Sequence, residues 1–122
     1  MITLHLDEGY AFDYLSILEV KTQKTSSVSK DYLESCKSHI VSQIGEDLFC
    51  EIYFSKEYSD LHESNLMTFE AIERLRSDKE ITAKEIDDLN SVRFVCKKDL
   101  QRKFFKSETK ETKTINEISF RQ

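Results

Sequence analysis

The sequence predicts an all-α fold: an antiparallel bundle of three or four helices, with room for a short two-stranded β-ribbon joining the termini. Three observations point there. The 122 residues include two glycines and no proline, so few sharp turns can be built and long helices with short polar links are favoured. Residues 81–86 carry a doubled helix-start signal. Thr82 can accept from the amide of Glu85, Glu85 can reach back to the amide of Thr82, and Ile81 and Ile86 sit where a hydrophobic staple would clasp that end. From there apolar residues recur every three or four positions, at Ile86, Leu89, Val92, Cys96, Leu100 and Phe104, which predicts a buried stripe.

The elements follow in chain order. Ile2, Leu4 and Leu6 alternate with Thr3 and His5, a short strand signal. A first helix begins near Asp7 or Glu8, with Ala11, Phe12, Tyr14, Leu15 and Leu18 facing inward, and residues 22–29 form a polar link. Ser29 is a good N-cap, with Val28 and Leu33 placed as a staple, and Leu33, Cys36, Ile40 and Ile44 make the second stripe. Gly45 either ends that helix or is tolerated inside a longer one. Residues 48–54 are too apolar for periodicity to decide; helix is favoured over buried strand because no turn signal follows. Tyr58, Leu61, Leu66, Phe69, Ile72 and Leu75 carry a further helix to Arg76, and residues 77–80 are the loop before the capped helix. Residues 107–122 are a tail, or a short strand pairing with residues 2–6. No repeat or linker splits the chain, so 1–122 is one domain.

Composition narrows the function classes. Hydrophobic residues make up 39% and charged residues 34%, which fits a helical, water-soluble chain. Cys36, Cys50 and Cys96 are odd in number and widely spaced, the pattern of reduced cysteines on helix faces. No basic-plus-apolar leader opens the sequence, and no run approaches the ~20 apolar residues of a membrane span. The expectation is a cytoplasmic protein with no membrane partner.

Candidate chemistry is sparse. Glu70-x-x-Glu73 and Glu85-x-x-Asp88 place two carboxylate pairs on helix faces, and on facing antiparallel helices such pairs could hold magnesium through oxygen ligands. The arrangement resembles the ExxE…ExxD pattern of the all-α nucleoside triphosphate pyrophosphohydrolases. That resemblance implies metal ions that bind phosphates and activate a water, with Glu70, Glu73, Glu85 and Asp88 as ligands. Cys36 and His39 share a helix face, but no paired zinc spacing is present. There is no Gly-rich phosphate loop.

Charge is uneven. Residues 1–92 hold nine Lys/Arg against nineteen Asp/Glu, whereas residues 93–122 hold nine against four. Arg93, Lys97, Lys98, Arg102, Lys103 and Lys106, interleaved with Phe104 and Phe105, form a candidate basic patch for RNA, phosphate or an acidic partner. The same polarity complements the macrodipole of the last helix, and the overall charge of −5 argues against general nucleic-acid binding.

The segment from Ala11 to Lys21 is similar to the opening helix, roughly E-L-L-D-K-x-x-I-L-E-x-K, of a family of uncharacterised helical proteins of phages and bacterial polysaccharide gene clusters. Asp13, Ile17, Leu18, Glu19 and Lys21 match; Tyr14 stands where the pattern has lysine. The resemblance implies a helical fold and no particular mechanism. The favoured reading is therefore a non-enzymatic interaction or accessory protein that self-associates, needs no cofactor, and is phage-encoded. A magnesium-dependent pyrophosphohydrolase is the first alternative and a binder of RNA or an acidic partner through the basic patch the second. Leu48, Phe49, Tyr53 and Phe54 are the candidate contact residues for self-association, since so apolar a cluster is unsuited to exposure.

Overall fold

The computed structural model describes residue 2 and residues 4–77 and 81–107. They form five helices: α1 (Glu8–Lys24), α2 (Lys30–Ile44), α3 (Glu46–Tyr53), α4 (Lys56–Arg76) and α5 (Ala83–Phe105). Residues 4–6 are not in a strand, and the other half of the expected ribbon falls outside the described residues. The helix count exceeds the expected three or four because residues 46–76 break at Phe54. Ser55 restarts the chain there by accepting from the Tyr58 amide at 3.1 Å.

The other boundaries follow local chemistry. Ser29 accepts from the Tyr32 amide and Thr82 from the Glu85 amide, each at 3.1 Å, so both expected N-caps form. The reciprocal arm of the Thr82–Glu85 capping box goes elsewhere: the Glu85 carboxylate lies 3.8 Å from Arg74. Gly45 ends α2 and opens α3 at φ 91°, in the left-handed region that side chains rarely adopt. The first link is shorter than expected, because α1 continues to Lys24.

α4 and α5 form an antiparallel hairpin. Its register is pinned by Lys103 on Glu57 at 2.9 Å near one end and Arg74 on Glu85 at the other. α1 lies across this hairpin, running antiparallel to α4: Asp13 meets Asn65, Ser16 meets His62, and Glu19 meets Tyr58. It approaches α5 closely at Gly9, where a Cβ would sit 2.8 Å from the Lys97 carbonyl oxygen. α2 and α3 pack outside α1 and the start of α4 and complete the apolar core.

That core comprises Phe12, Leu15, Leu18, Leu33, Phe49, Ile52, Tyr58, Leu61 and Leu100. Phe12, Phe49, Tyr53 and Tyr58 interlock within it through stacked and edge-on ring contacts, with centroids 5.1–6.0 Å apart. Towards the α4–α5 turn the interior becomes polar. Ser64, Asn65 and Thr68 of α4 and Asn90, Arg93 and Lys97 of α5 are buried.

This changes the expected stripes. On α5, Leu100 is fully buried, Leu89 and Cys96 are half-buried, and Val92 is 53% exposed. Leu75 and Tyr14, also expected inward, are exposed. Tyr58, Leu61 and Leu100 keep their expected inward place, while Ser64, Asn65, Thr68, Asn90, Arg93 and Lys97 add a polar inward face beside them.

Two substitutions test this packing. Leu100→Ala is expected to cost ~2–5 kcal/mol, the range for truncating a buried leucine. Gly9→Ala is expected to cost ~1–3 kcal/mol, because the added methyl meets backbone and cannot be accommodated by a rotamer change. Urea midpoints unchanged by either substitution would contradict the packing of α1 and the apolar core against α5.

Candidate functional site

Two carboxylates of α1 organise the polar chemistry of the molecule. Asp13, 1% exposed, faces α4 and α5 together. Arg93 grips it with two bonds, Nη2 to Oδ2 at 2.6 Å and Nε to Oδ1 at 3.2 Å, and the Lys97 ammonium lies 3.6 Å from Oδ2. Asn65 donates to Oδ1 at 3.0 Å and to the Ser16 hydroxyl at 3.1 Å, and Ser16 in turn contacts Nδ1 of His62 at 3.1 Å. The planar guanidinium suits this role because it matches both carboxylate oxygens at once.

Gln101 extends the network to the start of α1. Its Oε1 accepts from the Gly9 amide at 2.7 Å, and its Nε2 donates to Glu8 and Ser107. The side chain of Asp7, the N-cap residue, makes no capping bond, so α5 supplies a partner for an amide that a helix start leaves open.

Glu19, two turns after Asp13, is the second hub. It accepts from the hydroxyls of Tyr53 and Tyr58 and lies 3.9 Å from Lys37, whose ammonium also sits 5.0 Å from the Tyr53 ring centre. One side chain thereby ties α1 to α2, α3 and α4. Burial, and then the Glu19 charge, push the Tyr58 pKa far above the ordinary tyrosine range; burial, and then the hydrogen bond to Glu19, raise that of Tyr53.

These groups are arranged for cohesion. Ser16 touches a histidine but is fully buried, so its hydroxyl is closed to a substrate. The Cys96 thiol is pushed up to about 11 by burial and by Asp60, Asp99 and Asp13, which keeps it protonated at neutral pH and a poor nucleophile. Cys96 borders a shallow open depression of ≈180 Å³ between α4 and α5, lined also by Lys56, Glu57, Asp60 and Asp99.

The magnesium-ligand candidates lie on the outside of the hairpin. Glu73 pairs with Arg76 at 3.3 Å, Glu85 with Arg74, and Asp88 with Lys84 at 3.0 Å; Glu70 is exposed. Among the described residues no group of three or more histidine, cysteine or carboxylate side chains is placed to hold a metal ion. With three held in separate surface pairs and Glu70 exposed, the four do not fit a shared metal.

The candidate basic patch divides. Arg93 and Lys97 are interior partners of Asp13, a correction to their expected place on the surface. Lys103 is engaged with Glu57, Lys98 is half-buried, and Arg102 and Lys106 are exposed. The physical reason is the buried carboxylate, which draws the first two cations inward. Phe49 is buried and Leu48 and Tyr53 are half-buried, so of the four apolar candidates for self-association Phe54 alone stands out, at 80% exposed.

Compared with protein-family models, with curated proteins and with solved structures, the chain matches none of them.

The tyrosine pair yields a pH prediction. A tyrosine whose folded pKa is raised contributes stability that is complete below the unfolded value of 10.0 and is lost as pH rises above it. The wild-type urea midpoint is expected to fall as pH rises from about 10 upward, and Tyr58→Phe is expected to flatten that fall. Equal slopes in the two proteins would contradict the assignment.

Proposed function

We propose that this chain is a non-enzymatic helical interaction or accessory protein that acts by surface contact and associates with itself. The observation that carries the reading is Phe54, a large aromatic left 80% exposed at the corner between α3 and α4, edge-on to Tyr53 with ring centres 5.3 Å apart. The polar groups of the interior support it from the other side, since Asp13, Ser16, Glu19 and Cys96 are committed to packing or held inert.

The same proposal extends to setting. A phage-encoded cytoplasmic protein of the helical family that the opening helix resembles would share its two hubs, because Asp13 and Glu19 are among the residues that match that family's pattern. No helix among the described residues is long and apolar enough to cross a membrane.

Light scattering at tens of micromolar tests the association. The wild type is expected at twice the 14.4 kDa chain mass, and Phe54→Ser is expected to return it to 14.4 kDa. A wild-type mass of 14.4 kDa would remove self-association.

A further inference from the structure

The outer seam of the α4–α5 hairpin, on the side away from α1, carries a second surface. The register set by Lys103–Glu57 and Arg74–Glu85 brings Met67 of α4 level with Val92 of α5. Both follow the lining of the depression along their helices. Met67 lies seven residues after Asp60, and Val92 four before Cys96, which keeps each on the same helix face. Val95 lies four residues before Asp99, another lining residue. Met67, Val92 and Val95 are each about half exposed, at 49%, 53% and 52%.

The rim of this apolar strip is acidic. Asp60, Glu63 and Glu70 follow the same face of α4, and Asp88 and Asp99 that of α5; all are exposed. Three described cations along these helices are engaged, Lys56 with Asp60 at 2.8 Å, Lys84 with Asp88, and Arg74 with Glu85. Glu63, Glu70 and Asp99 have no ion-pair partner among the described residues. A second copy docking seam to seam would set these carboxylates against their own kind. From Lys56 to Arg74 the seam runs about 27 Å, the length of an 18-residue helix.

We propose that this seam is a docking groove for a basic amphipathic helix of a partner protein. Apolar side chains of that helix at i, i+3 and i+7 would cover Met67, Val92 and Val95, and its lysines or arginines would meet Asp60, Glu63, Glu70, Asp88 and Asp99. The proposal rests on the interaction reading and deepens it, on a surface separate from Phe54.

The test is fluorescence anisotropy of the full chain with a labelled 18-residue amphipathic helix of leucine and lysine. Saturable binding that weakens as salt rises is expected. Val92→Lys and Met67→Lys, both at exposed positions, are each expected to weaken it by about tenfold or more, while Phe54→Ser binds as wild type. Absence of binding, equal binding by the leucine–glutamate counterpart, or wild-type affinity in both lysine variants would overturn the groove. So would a self-associated mass that Val92→Lys abolishes, since a second copy would then occupy the seam. A wild type that stays monomeric yet binds the peptide through the seam would sink self-association and leave the groove standing.

Discussion

The carboxylate of Asp13 is where α1, α4 and α5 meet. An ionised carboxylate taken out of water is costly, and its attraction to a cation offsets that cost only with good geometry and further hydrogen bonds. Asp13 has both: a two-point contact with Arg93, Lys97 beside it, and an amide from Asn65. Each of those partners sits on a different turn or helix, so the bonds fix rotation and register as well as distance. Ion pairs of this kind are weak evidence for high stability. What they impose here is which face of α4 and which face of α5 point inward.

That constraint explains where the sequence could be read and where it could not. Helix ends were legible because capping is local: Ser29, Thr82 and Gly45 do what their chemistry implies wherever they occur. The inward face of α5 was not. Asn90, Arg93, Lys97 and Gln101 repeat with the same helical spacing as Leu89, Val92, Cys96 and Leu100, and periodicity cannot rank a polar stripe above an apolar one. Ordinary preference favours the apolar stripe, and the buried acid on α1 reverses it. The same reversal took Arg93 and Lys97 out of the supposed surface patch. Gly9 was a signal within reach, since a glycine inside a helix often marks close approach of another backbone.

Two carboxylate-centred polar networks lie inside the molecule, and Phe54, Met67, Val92 and Val95 stand outside. Glu19 repeats the Asp13 arrangement at the other end of α1, holding two tyrosine hydroxyls and standing beside a lysine. Asp13, Ser16 and Glu19 are occupied in joining helices, while Phe54 and the acid-rimmed seam are open. The proposed interaction role draws on these two surface features. The hairpin of α4 and α5, tied at both ends by ion pairs and joined to α1 by the Asp13 network, carries the seam.

Urea denaturation of Asp13→Asn tests the central role of this carboxylate most directly. The amide keeps the shape and removes the charge, leaving Arg93 and Lys97 buried beside a neutral group. The expected loss is about 3–5 kcal/mol, with part of it recovered when Arg93→Met is added. A loss below about 1 kcal/mol, or no recovery in the double variant, would show that the three helices find their register without Asp13.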